Sequence, residues 1–343
     1  MGVTGLNPHH GSARNPYDTR CFAGGSSSGS AVAVAAGFAP IAVGADGGGS
    51  VRIPAALCGL VGLKATWGRV SEHGVAPLCW SVAHIGPIAA TARDAAVAYA
   101  VMAGADVEDR ISMNRPPVHL DGFARTDLRG VRLGVFRPWF EDADPQVVAA
   151  CEKTLTGLAG LGAEVREIEV PGLDAMRVAH LVTIVSEMAA SQLPHAKNAG
   201  LYGLDTRPSL ALGRAITSTD YVHAQRLRTE ACARFARLLQ DVDGIVTPTT
   251  ACTSGPLPLD ALETGESNLT LLGKIMRYAA VANFTGLPAI TFPAGYDSRG
   301  MPVGLQVMGR AWEEHRLLQL AVAAETLVTR QAPRWHRRLL PPR

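Results

Sequence analysis

Lysine is scarce in this chain. Its 343 residues include four, Lys64, Lys153, Lys197 and Lys274, and none precedes Lys64, so the 32 basic side chains are mostly arginine. Charge of either sign is thin: charged residues make up 18% and the formal net charge is +2. That balance gives a nucleic acid or an anionic membrane no electrostatic handle. The six cysteines are scattered and form no C-x-x-C, which excludes a disulfide framework and points to a reduced, cytoplasmic protein. Met1 to Gly11 has neither a basic nor an apolar signal segment. Cys21 to Ala45 is free of charge, but a Gly/Ser run and Pro40 interrupt it. Its continuous apolar part falls well short of the ~20 residues that span a bilayer, so no transmembrane segment is expected. No Gly-Lys-Ser/Thr ending and no G-x-G-x-x-G is present, which argues against a nucleotide cofactor. His9-His10 has no acidic, His or Cys partner at ligand spacing, so no metal is expected.

Apolar residues, at 47%, are enough for a sizeable core. Apolar runs read as strands at Ile41–Val43, Val131–Phe136, Glu164–Val170, Asp243–Thr247, Ala289–Phe292 and Val303–Met308. Helical patterns cover Ser30–Phe38, Ala92–Ala103 behind a Thr91 cap, Pro145–Leu161, 173–192, 219–240 and Trp312–Thr329. The Ser-rich loop is expected to cap the first of these. Interleaved strands and helices predict an α/β domain with a mixed or parallel sheet. Residues 1–343 read as a single domain. The polar stretch around 106–129 is an excursion from it, and the basic tail 333–343 is frayed.

Two serine loops stand out. Gly44-Ala45-Asp46-Gly47-Gly48-Gly49-Ser50 ends three consecutive glycines on a serine, and Gly24-Gly25-Ser26-Ser27-Ser28-Gly29-Ser30 lies upstream of it. Backbone N–H groups unshielded by Cβ atoms can meet a developing oxyanion while a serine oxygen attacks a carbonyl, which suits acyl transfer. A flexible Gly/Ser linker is the plain alternative for the first loop. A second alternative is an α/β-hydrolase elbow, G-x-S-x-G with Ser27 as nucleophile. It requires a strand directly before it, and Asp18–Ala23 makes a poor one.

These two loops resemble the amidase signature family of serine amidases. The similarity continues through Cys58-Gly59-Leu60-Val61-Gly62-Leu63-Lys64, Val246-Thr247-Pro248-Thr249-Thr250, Asn283-Phe284-Thr285-Gly286-Leu287-Pro288-Ala289 and Gly300-Met301-Pro302-Val303-Gly304-Leu305-Gln306. Asn15-Pro16-Tyr17-Asp18 and Asp220-Tyr221-Val222-His223-Ala224-Gln225 are most similar to plant fatty acid amide hydrolases and their bacterial relatives. The resemblance implies a mixed sheet covered on both faces by helices, and a Ser-Ser-Lys triad working through an acyl-enzyme without a cofactor. Ser50 would be the nucleophile, and Ser26, after a cis Gly25–Ser26 bond, the proton relay. The N–H groups of Gly47, Gly48, Gly49 and Ser50 would form the oxyanion hole, with Gly25, Asp46 and Arg52 supporting the loops.

Two positions depart from the pattern. The family's catalytic lysine lies further upstream of the relay serine than this chain extends, and Lys64 matches another family position. Ala83-His84 stands where relatives carry Asp-His. The expectation is therefore an N-terminally truncated amidase, weak or inactive alone, acting on small-molecule amides. Long acyl chains are one substrate class; aryl amides and short oligo-amides stay open. So does a homodimer, and so does a non-catalytic remnant that only binds.

Overall fold

The computed structural model describes residues 2–337. Ten strands occur among them: β1 (Arg14–Asn15), β2 (Asp18–Phe22), β3 (Ile41–Ala45), β4 (Val61–Lys64), β5 (Ile85–Ala89), β6 (Arg132–Val135), β7 (Glu164–Glu167), β8 (Gly244–Pro248), β9 (Ala289–Tyr296) and β10 (Pro302–Gly309). The α-helices are α1 (Ser28–Ala35), α2 (Arg52–Leu57), α3 (Ala92–Met102), α4 (Arg137–Phe140), α5 (Pro145–Gly160), α6 (Leu173–Ser191), α7 (Thr206–Ala215), α8 (Ser218–Asp241), α9 (Leu269–Met276), α10 (Ala280–Thr285) and α11 (Glu314–Glu325). Eight strands form one sheet in the order β3-β5-β4-β9-β10-β8-β6-β7. It is mixed: β6 runs parallel to β7 and β8, and the other pairs are antiparallel.

The central strands are apolar at nearly every position because both faces are covered. Alternation then divides each strand between two cores. Val246, Ile290 and Val307 pack on one face with residues of α3, α5 and α11. Their neighbours Ile245, Ala289 and Met308 pack on the other, with residues of α6, α8 and α10. The β5–α3 junction forms as its sequence predicts: Thr91 accepts the Asp94 N–H and stops the preceding extended chain.

Local patterns mislead where side chains find distant partners. Asp18–Ala23 is polar for a strand, yet Asp18–Phe22 is β2. The Asn15 side chain accepts the Tyr17 N–H and tightens the β1–β2 turn. The other edge of β2 is satisfied by the 255–257 segment, with Phe22 N–H donated to Gly255 and Leu257 N–H to Arg20. This hairpin lies outside the central sheet. Helix α1 begins at Ser28 rather than Ser30, and its N-cap Ser27 makes no capping bond, because that hydroxyl is turned to the backbone of Ala45. Of the tail, Trp335 and Arg337 donate their N–H groups to Pro16 and Ala36; residues 338–343 lie outside the described residues.

Candidate active site

Strand β3 delivers Asp46 to the start of the triple-glycine turn, and α2 leaves the turn at Arg52. Both side chains are fully buried, with Arg52 Nε 3.0 Å from Asp46 Oδ2. The carboxylate works inward on its own loop. Oδ1 accepts the Gly49 N–H at 2.6 Å, and Oδ2 accepts the Val51 N–H at 3.2 Å. Arg52 then spreads its remaining donors over Gln306 Oε1 (2.5 Å), the Ala279 carbonyl (3.1 Å) and Asn283 Oδ1 (2.6 Å). Asn283 completes the ring by donating to the Asp46 carbonyl at 2.7 Å. Burial alone would raise the Asp46 carboxyl; the Arg52 charge and its hydrogen bonds outweigh it and hold the group well below the usual carboxylate range.

The resemblance implies four consecutive N–H groups facing a substrate oxygen. The Gly49 N–H does not face one, because Asp46 occupies it. Those of Gly47, Gly48 and Ser50 have no recorded hydrogen-bond partner among the described residues. The shape of the turn requires glycine at position 49, whose φ is +109°. A Cβ there would sit 2.6 Å from both Ala279 Cβ and Ile53 Cδ1. We expect Gly49→Ala to lose at least about 2 kcal/mol in urea denaturation, from strain plus overpacking.

Ser26, Gly47, Gly48 and Ser50 line one cavity of about 1140 Å³. The Gly25–Ser26 peptide bond is cis. Gly25 is held against the backbone of Gly2 and Gly5, where a Cβ would meet the Gly2 carbonyl at 2.5 Å. Ser27, the alternative nucleophile, is not part of this wall. Its Oγ donates to the Ala45 carbonyl (3.3 Å) and accepts the Ala45 N–H (3.2 Å). It also lacks the central-sheet strand that an elbow needs.

No motif in the sequence marks the rest of the lining, which comes mainly from α6, α7, α9 and the 72–85 segment. His180 on α6 donates from Nε2 to the Gly47 carbonyl at 2.8 Å. Burial, the largest influence, lowers its pKa to about 4, so the ring is neutral at pH 7. Glu187, Tyr221 and Glu72 line the same cavity. His84 is buried, donating from Nδ1 to the Val82 carbonyl at 2.9 Å; its Nε2 has no partner among the described residues.

No lysine or arginine among the described residues lines the cavity. Lys64 is buried on β4 with one recorded bond, Nζ to the Ala65 carbonyl at 3.0 Å. Burial first, and then the Arg52 charge, drive its pKa well below 10.5. A depressed amine contributes stability only above its unfolded value and loses it as pH falls, so at neutral pH Lys64 is a cost. Lys64→Met should leave the urea midpoint at pH 7 unchanged or raise it, by up to a few kcal/mol in stability. A loss above about 1 kcal/mol would show that the amine is better bonded than its one contact suggests.

Among the described residues, no helix is long and apolar enough to cross a membrane, and no group of three or more His, Cys, Asp or Glu is placed to hold a metal ion. The family model described as Amidase matches residues 1–318. The chain is 44% identical over 335 residues to a fatty acid amide hydrolase of Medicago truncatula, covering 95% of this chain and 55% of the relative. It thus spans about half the length of the curated fatty acid amide hydrolases it matches. It is 34% identical to a glutamyl-tRNA(Gln) amidotransferase subunit of Thioalkalivibrio sulfidiphilus, covering 99% of this chain and 73% of the relative. Among solved structures, the corresponding subunit from Thermotoga maritima superposes with a TM-score of 0.78 at 32% identity, over 91% of this chain and 68% of that one. With this fold, these two serine loops and these matches, the chain belongs to the amidase signature family.

Proposed function

We propose that this chain carries the acyl-transfer half of an amide-hydrolysing site. Ser50 is the nucleophile that attacks the amide carbonyl, and Ser26 passes its proton to the leaving amine. The N–H groups of Gly47, Gly48 and Ser50 stabilise the oxyanion, and water releases the acyl group from Ser50. The observation that carries this reading is that Ser26, Ser50 and the glycine turn open into one cavity, with the turn held rigid from behind by Asp46 and Arg52. Pre-aimed donors of this kind typically contribute about 100- to 1,000-fold each to rate.

The base is the weak point. Accepting a proton requires a neutral, desolvated lysine at the serine pair. Lys64 meets the electrostatic condition but does not reach the cavity, while Lys153 and Lys197 are exposed and Lys274 is paired with Asp144 at 2.7 Å. None of the four lysines is therefore placed to act as that base. This favours, as the second reading, an amidase-like chain that binds amides without turning them over. Labelling with an alkyl fluorophosphonate followed by peptide mapping separates the two. Covalent modification at Ser50 supports the hydrolase reading; an unmodified Ser50 under conditions that label a control serine hydrolase defeats it.

The apolar character of the cavity suits an amide with a hydrocarbon part. Leu181, Ile184, Leu212, Leu272 and Met276 contribute to its wall.

A further inference from the structure

The charged groups on this cavity are all of one sign. Glu72, Glu187 and Asp205 line it, with no lysine or arginine among the described residues. A site that accepted a free carboxylate would need a cation or a cluster of free donors to replace the water it strips away. Here the ligand would meet three carboxylates in an otherwise apolar wall, where charges interact strongly.

The three acids differ in what they already hold. The Glu187 carboxylate accepts the Ser81 N–H at 3.0 Å, the Ser81 hydroxyl, and the Tyr221 hydroxyl at 3.0 Å. Arg228 stands behind Ser81, donating to its Oγ at 3.0 Å. Asp205 accepts from Ser267 at 2.6 Å. The Glu72 carboxyl has no hydrogen bond or ion pair among the described residues. Its backbone N–H is fixed to Asp109 Oδ2 at 3.0 Å, which holds the residue at the cavity wall. Burial, and then the nearby Asp109 and Glu187 charges, raise its pKa to about 7. An entering cation would reverse that shift.

Helix α6 sets a length scale. His180 touches the Gly47 carbonyl beside the nucleophile, and Glu187 follows seven residues later on the same helix face. Two turns of helix span roughly 10 Å. An extended hydrocarbon chain covers that distance in about eight bonds.

We propose that the site selects amides that carry a cationic amine about eight bonds from the scissile carbonyl, with Glu72 as its unpaired counter-charge beside the braced Glu187. This rests on the Ser50 reading for which bond is cut, but not for which ligand is held.

The test is therefore a binding measurement on the full chain carrying Ser50→Ala, which removes turnover. Three octanamides are compared by calorimetry at pH 8: one ending at carbon 8 in an ammonium group, one in a plain methyl and one in a carboxylate. The ammonium compound is expected to bind at least about tenfold more tightly than the carboxylate compound, the scale of one charge-assisted hydrogen bond. Glu72→Gln should remove most of that preference while leaving the affinity of the methyl compound within about twofold, which also reports that the variant is folded. Equal affinities, a preference for the carboxylate, or a preference unchanged by Glu72→Gln would each overturn the proposal. Failure of Ser50 to label with fluorophosphonate would count against the hydrolase reading and leave this binding order standing.

Discussion

Replacing Asp46 by alanine is expected to cost about 3–5 kcal/mol of stability, a large share of the roughly 5–15 kcal/mol that holds a typical protein folded. Arg52 would be left fully buried, with its charge met only by Gln306, Asn283 and a carbonyl oxygen. The Gly49 and Val51 N–H groups would lose their acceptor at the same time. Urea denaturation at pH 7 reads the loss, and a value below about 1 kcal/mol would mean that the ring of bonds around Arg52 survives without its anion. The pH dependence gives a second check. The folded pKa of Asp46 lies below its unfolded value of 3.8, so its stabilisation is complete above that value and fades as pH falls through the folded one. The gap between the native chain and Asp46→Ala should therefore be constant from about pH 5 to 8 and close only in acid.

Ser50→Ala is expected to abolish fluorophosphonate labelling and, in any preparation that hydrolyses amides, to lower kcat by at least about a thousand-fold. Removing one member of a concerted set costs nearly as much as removing all of it, so Ser26→Ala combined with Ser50→Ala should be little worse than Ser50→Ala alone. Ser26→Ala by itself should cost about 100- to 10,000-fold, the range of a lost proton relay. Ser27→Ala serves as the control, since its hydroxyl is engaged with Ala45. If Ser27→Ala, and not Ser50→Ala, removed labelling, the assignment of the nucleophile would be wrong. All three single-atom deletions sit at small side chains, so thermal unfolding should show little change and a catalytic loss will not be confused with misfolding.

The sheet is largely legible in the sequence because short apolar runs mark strands covered on two faces. Val246 and Ile245, or Val307 and Met308, need no knowledge of partners to be placed inside. Strand β2 is not legible. Its polar residues become a strand only through Asn15 and the 255–257 segment, which are contacts the local sequence does not encode. At the candidate site, the residues that announce themselves are those in contiguous motifs: Ser26, Ser50, Asp46 and Arg52, and the turn of glycines. His180, Glu187 and Glu72 carry no such signal, because a single histidine or glutamate on an amphipathic helix or loop looks like any solvated side chain until the fold turns it inward. The Gly49 N–H differs from expectation for a related reason. A carboxylate that braces a loop must take its hydrogen bonds from somewhere, and only the folded turn shows that Asp46 takes this one.

The ring from Asp46 through Arg52 to Gln306 on β10 and Asn283 on α10 binds one short turn to segments more than 200 positions away in the chain. The turn therefore has no private route to loosening: moving Ser50 means breaking contacts that also join the middle of the sheet to the helix layer beside it. The rest of the cavity lining, from α6, α7, α9 and the 72–85 segment, takes no part in that ring. Substitutions there can therefore reshape the cavity without touching the bonds that fix the glycine turn.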